Sequence, residues 1–220
     1  MEKTLIAANW KSNKTKNEAK NWLLEVSKAT LSPEIDLVLF PPLTLLDFVS
    51  NFVRENNLRV KIGAQNISRF DAGAYTGEVS GNQIREFAKY VIVGHSERRQ
   101  NFGETEEVVR EKVERAMVAD LNPIICVYNF EQARNLEFAH NAVFAYEPIS
   151  AVGSGHPESL MVVKEFTEKF KATFQNQLIY GGSIDSENVQ EYLSVAGISG
   201  ALVGAGSLSA ESFIKIINNV

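Results

Sequence analysis

Short apolar runs recur along the chain, separated by polar stretches with helical spacing. Eight of them read as strands: LIAAN at 5–9, DLVLF at 36–40, VKIGA at 60–64, YVIVG at 90–94, PIICV at 123–127, AVFAY at 142–146, QLIY at 177–180 and GALVG at 200–204. Strands that are apolar nearly throughout must be covered on both faces, which favours a parallel sheet wrapped in helices. The stretches between them carry helix signals. In residues 106–119, Thr105 stands ready to cap, Glu106 and Glu107 suit the positive end, and Val109, Val113, Ala116 and Met117 repeat at helical spacing. Ser209, followed by Glu211, Phe213, Ile216 and Ile217, marks a closing helix in the same way.

Eight strand–helix units in alternation predict an α/β fold closed into an eight-stranded parallel (β/α)8 barrel, a single domain over residues 1–220. At about 27 residues per unit the chain is short for this architecture, so some helices must be brief. No insertion or second domain fits. The glycine-rich region 64–80 after the third strand is either a functional loop or an interface arm.

Composition narrows the function. The 220 residues are 45% hydrophobic and 22% charged, enough for a substantial core. The net charge is −5 and the basic residues are scattered, so nothing marks a nucleic-acid or anionic-membrane partner. Cys126, the one cysteine, makes no intramolecular disulfide and reads as a small buried strand residue. No CxxC or His-rich cluster suggests a metal, and His140 and His156 read as surface or packing residues with no chemistry assigned to them. With no signal-like amino terminus and no apolar run of about 18 residues, the expectation is a soluble, unprocessed, cytoplasmic protein.

In a barrel, the loops after the strands share one face, so polar residues there converge. Asn9 and Lys11 follow the first strand on one side, suited to a substrate oxygen and an anion; the plainer reading is a solvated loop lysine. The fourth strand ends in GHSERR. His95 there opens a helical turn whose amides disfavour a charged imidazole, so a neutral His95 is suited to donating a hydrogen bond to a carbonyl. Equally open is a capping and ion-pair cluster of His95 and Glu97 with Arg98 and Arg99. Glu147 after the sixth strand, followed by Pro148, Gly153 and Gly155, is either a base under a glycine-hinged lid or a polar strand end. YGGSI and LVGAGS, after the last two strands, let backbone amides approach an anion, with Ser183, Gly204 and Ala205 sharing it with Gly153; glycines also serve ordinary turns.

Taken together, NWK, GHSERR, FGE, AYEP, GSG, YGGS and LVGAGS resemble the triosephosphate isomerase family, in its order and across essentially the whole chain. The resemblance implies a TIM barrel that interconverts dihydroxyacetone phosphate and D-glyceraldehyde 3-phosphate through an enediolate, in glycolysis and gluconeogenesis, with no cofactor and no metal. It implies Glu147 as the base between the two carbons, His95 as the neutral electrophile, and Asn9 and Lys11 as stabilisers of the enediolate that also bind substrate. Glu97 matches the acid beside the active lysine. Residues 73–80, GAYTGEVS, resemble the arm that enters a neighbouring subunit, with Thr76 at its tip, which implies a homodimer.

The chain departs from the family pattern at Ser150, where a tryptophan is usual, and at GSGHPES, where GTGKTAT is frequent. Gly204-Ala205-Gly206 puts a methyl group where the family often has its second glycine, Ser12 follows the first-loop lysine, and Val127-Tyr128-Asn129 follows the strand-five cysteine. The missing residues fall between Cys126 and Ala142 and between Gly155 and Gln177, and short members of the family include tetramers. Two competing readings remain. One is a different phosphate-binding barrel, such as another sugar-phosphate isomerase or an indole-pathway enzyme; the other is a non-catalytic barrel without a working lid.

Overall fold

The computed structural model describes residues 3–151 and 155–220. Eight strands, β1 (Thr4–Asn9), β2 (Ile35–Phe40), β3 (Lys61–Ala64), β4 (Tyr90–Val93), β5 (Asn122–Val127), β6 (Val143–Tyr146), β7 (Leu178–Tyr180) and β8 (Gly200–Val203), pair in sequence order. Every pairing is parallel, and β8 closes back onto β1. The eight apolar runs are the eight strands, each within a residue or so of its expected limits.

Strand alternation divides the buried residues into two layers. Leu5, Ala7, Val38, Phe40, Ile92, Ile124, Cys126, Ala145, Ile179 and Leu202 fill the barrel interior. The intervening positions, among them Ile6, Ala8, Leu37, Leu39, Val91, Val93, Phe144 and Tyr180, pack outward against the helices. Size matching inside is close: a Cβ on Gly63 would lie 2.1 Å from the Phe40 ring, so that glycine makes room for the aromatic that plugs its neighbour strand.

The helix Glu106–Val118 starts where expected, with the Thr105 hydroxyl accepting from the Val108 amide. Its buried face differs from the expected one at two positions. Met117 is 43% exposed, and Lys112 is buried instead. Lys112 Nζ donates to Glu104 Oε1 at 2.5 Å and to Asn66 Oδ1 at 2.7 Å, and Arg98 Nε also meets Glu104 Oε1 at 2.5 Å. A buried ammonium is tolerated because it is paired and hydrogen-bonded, although burial still lowers its pKa. The closing helix Ala210–Asn218 is capped by Ser209 and buries Phe213, Ile216 and Ile217.

Of the two helices expected to be cut short, only the first is: the one between Gly155 and Gln177 runs from Leu160 to Lys171, 12 residues. The helix after β5 is reduced to Phe130–Arg134, five residues. Around the seam of the barrel, Trp22 packs edge-on against Trp10 at 5.0 Å and donates from Nε1 to Ser207 O at 2.9 Å. Lys14 Nζ donates to Leu208 O at 2.6 Å, so the loops after β1 and β8 are tied together next to the mouth. Among the described residues no helix is long and apolar enough to cross a membrane.

Candidate active site

Carrying the interior alternation past each strand end brings Asn9, Lys11, Gln65, Glu147, Gly181 and Gly204 toward the mouth. Asn9, Lys11, His95, Glu147, Ser183 and Gly204 line one cavity of about 300 Å³. A second cavity of about 310 Å³ adjoins it, sharing Asn9, Lys11 and His95 and reaching Glu97 and Gln65.

Lys11 adopts a left-handed backbone, φ 53°, which costs a non-glycine residue about 1–2 kcal/mol. Two side-chain amides hold it there. Its N–H donates to Asn9 Oδ1 at 3.0 Å, and its carbonyl accepts from Gln65 Nε2 at 2.9 Å, a donor that also reaches Phe40 O at 2.9 Å. Asn9 Oδ1 is thereby committed, which leaves the Asn9 amide nitrogen as the group offered to a ligand. The Lys11 ammonium meets Glu97 Oε1 at 2.5 Å. It passes over Gly204, where a Cβ would stand 3.5 Å from Nζ.

His95 is the N-cap of the helix Ser96–Phe102, and its Nδ1 accepts from the Glu97 amide at 3.2 Å. A ring nitrogen that accepts carries no proton, so the imidazole is the neutral tautomer with its proton on Nε2. The adjoining amide, Ser96 N, donates to Glu147 Oε2 at 3.0 Å. Glu147 is 1% exposed, its backbone N–H extends the β5–β6 ladder to Val127 O at 2.8 Å, and Gly181 makes room for it: a Cβ there would lie 2.9 Å from Glu147 Cγ. Glu147 Oε1 has no hydrogen-bond partner among the described residues and stands 3.3 Å from His95 Nε2. Beneath it, Cys126 is fully buried; burial, and then the Glu147 charge, push its thiol well above the ordinary range.

The capping half of the plainer reading for GHSERR is therefore present, and Glu97 Oε2 lies 3.8 Å from His95 Nδ1, but Glu97 pairs with neither arginine. Arg98 is engaged by Glu104 and Arg99 by Glu106 at 2.7 Å, which leaves Glu97 to Lys11.

Ser183 also has a left-handed backbone, φ 50°, and its hydroxyl donates to Ala151 O at 2.5 Å. Gly204 precedes a short 3-10 turn, Ala205–Ser207, with Ala205 exposed at the lip. Gly153 lies outside the described residues.

At the far end of the loop that follows Glu147, one residue gathers several bonds. Glu158 Oε2 accepts from the Ser150 hydroxyl at 2.6 Å and Oε1 from the Ser159 amide at 2.8 Å. Its backbone N–H donates to Tyr180 OH at 2.9 Å, and its carbonyl accepts from Tyr192 OH. The two tyrosine rings stack at 4.4 Å. Ser150, at the position where a tryptophan was expected, thus takes part in a hydroxyl–carboxylate bond across the base of the loop. The donors lower the Glu158 pKa, Ser150 first, and burial together with the Glu158 charge pushes Tyr146 up to about 12.

Sequence reasoning missed Gln65, Ser96 as a backbone donor, and Glu158. Gln65 alone had a readable signal, being two residues beyond Gly63 on the interior side of β3.

Fold and site together define a (β/α)8-barrel enzyme of the acid–base kind, with a buried carboxylate facing a neutral imidazole at the carboxyl ends of the strands. The family model for triosephosphate isomerase matches residues 4–220. A curated triosephosphate isomerase from Trichodesmium erythraeum is 39% identical over 241 aligned positions, covering 99% of this chain and 99% of that protein. One from Picosynechococcus is 41% identical over 245 positions, covering 100% of both, and one from Endomicrobium trichonymphae is 37% identical with 99% and 98% covered. The chain belongs to the triosephosphate isomerase family.

Proposed function

We propose that this chain, as one domain of residues 1–220, interconverts dihydroxyacetone phosphate and D-glyceraldehyde 3-phosphate, a step of glycolysis and gluconeogenesis. The observation that carries the reading is the unbonded Glu147 Oε1, 3.3 Å from His95 Nε2 in a cavity that Lys11 also lines. In this reading Glu147 takes a proton from one substrate carbon and returns it to the other. His95 donates from Nε2 to the carbonyl and moves a proton between the two oxygens of the enediolate, while the Asn9 amide nitrogen supports the same charge. Lys11 supplies the positive charge, and Glu97 orients it through their 2.5 Å contact. Gly153, Ser183, Gly204 and Ala205 bind the phosphate, chiefly through backbone amides. Every step uses groups of this chain, and the reading calls for no cofactor or metal.

A homodimer goes with it. Residues 71–78 are exposed, with Tyr75 stacked on Phe70 at 4.1 Å, and the cavity beside the site is rimmed by the exposed Leu43 and Phe102. An arm of this kind entering such a cavity on a second copy supports two-fold assembly, with a tetramer as its doubled form. The setting proposed is the cytoplasm. A coupled assay of triose phosphate isomerisation on metal-free protein tests the activity: turnover supports the reading, and none at substrate saturation overturns it.

A further inference from the structure

Asp185 lines the same cavity of about 300 Å³ as Lys11, Ser183 and Gly204. Its place is fixed: Oδ1 accepts from the amides of Glu187 at 2.8 Å and Asn188 at 3.0 Å, and its own N–H donates to Asn188 Oδ1 at 3.0 Å. Asn188 Nδ2 in turn donates to Ser183 O at 3.0 Å, so the acid and the serine belong to one rigid turn. None of the salt bridges among the described residues involves Asp185. Lys11 is the one cation among the described residues lining this cavity, and it already faces Glu97. An incoming phosphate dianion therefore meets one shared positive charge, the Glu147 carboxylate and, at Asp185, a second acid that no cation among the described residues pairs with.

We infer that Asp185 is a specificity-determining residue that weakens the site for dianions, a fixed charge on the phosphate side of the cavity. The inference rests on reading the cavity as a triose phosphate site. Repulsion scales with ligand charge, so a phosphate dianion is penalised more than a monoanion of the same shape. Asp185 is exposed, so salt screens the effect.

The test is Asp185→Asn, which keeps an oxygen for the two turn amides and removes the charge. Inhibition by inorganic phosphate and the KM for glyceraldehyde 3-phosphate are measured from low to high ionic strength, with phosphate binding followed in parallel by calorimetry. The phosphate Ki and the KM are expected to fall about three- to tenfold at low salt, the difference shrinking below about twofold near 0.5 M. Glu187→Gln, a neighbouring exposed charge that does not line the cavity, leaves both constants unchanged. A Ki equal to that of the unmodified protein at low salt overturns the inference and reduces Asp185 to a turn-forming residue, with the isomerase reading intact. Tighter phosphate binding in a protein without turnover sustains the inference and overturns the isomerase reading. Phosphate binding to neither protein overturns both.

Discussion

His95 Nε2 and Glu147 Oε1 face each other at 3.3 Å, and consecutive amides of a single helix hold both from behind. Ser96 N binds the carboxylate and Glu97 N binds the imidazole, so the helix start fixes the spacing of acid and base and the tautomer of the ring. In ¹⁵N NMR at neutral pH, His95 is expected to show an unprotonated Nδ1 and a protonated Nε2. Replacing His95 by Gln is expected to lower kcat by about 10²- to 10⁴-fold.

Gln65 anchors the strained lysine. Gln65→Leu strips the donor from Lys11 O and Phe40 O together. Phe40 O keeps the Trp10 amide at 3.2 Å, so urea denaturation is expected to show a loss of about 1–3 kcal/mol, the cost of leaving the part-buried Lys11 carbonyl without its donor. With the strained Lys11 backbone then held only by the Asn9 side chain, the ammonium is less well placed, and kcat/KM falls as well, mainly through KM.

The Ser150–Glu158 bond gives a pH signature. Its donors favour the charged carboxylate, so the folded-state pKa lies below the unfolded one. The contribution to stability is full above the ordinary carboxylate pKa and disappears as pH falls through the folded value. Ser150→Ala should therefore lower the denaturation midpoint at pH 7 and cease to matter once acid has protonated the carboxylate; a difference that persists unchanged through the acid range contradicts this assignment.

Cys126 should be inert in the native state. Its thiol is fully buried and its pKa is raised, so the nucleophilic thiolate is scarce. Alkylating reagents are expected to label it only after denaturation. Rapid labelling of folded protein would mean that the barrel floor under Glu147 opens.

The barrel was legible because its strands carry two signals at once. Near-continuous apolar runs mark burial on both faces, and counting by twos from Ala7, Ala145 and Leu202 leads to Asn9, Glu147 and Gly204. Helical spacing was less dependable. In the helix Glu106–Val118 it selected Met117 and missed Lys112, because a lysine enters the core only with partners such as Glu104, which lies outside that helix. Gln65 and Glu158 were hidden for a related reason. Each joins a backbone group to a side chain from a distant part of the chain, the Lys11 carbonyl to the Gln65 amide and the Glu158 backbone to the hydroxyls of Tyr180 and Tyr192. Hydrogen bonds to distant backbone leave no periodic trace in a sequence.

Glu147 moves the proton in the proposed reaction, and its role as base is read from the Glu147→Gln variant in the coupled isomerase assay. The amide keeps the volume and an oxygen for Ser96 N but has no basic site for the proton. The expected kcat is lower by about 10²- to 10⁴-fold, in a protein that still folds and binds inorganic phosphate. A folded variant that turns over at the unmodified rate would contradict it.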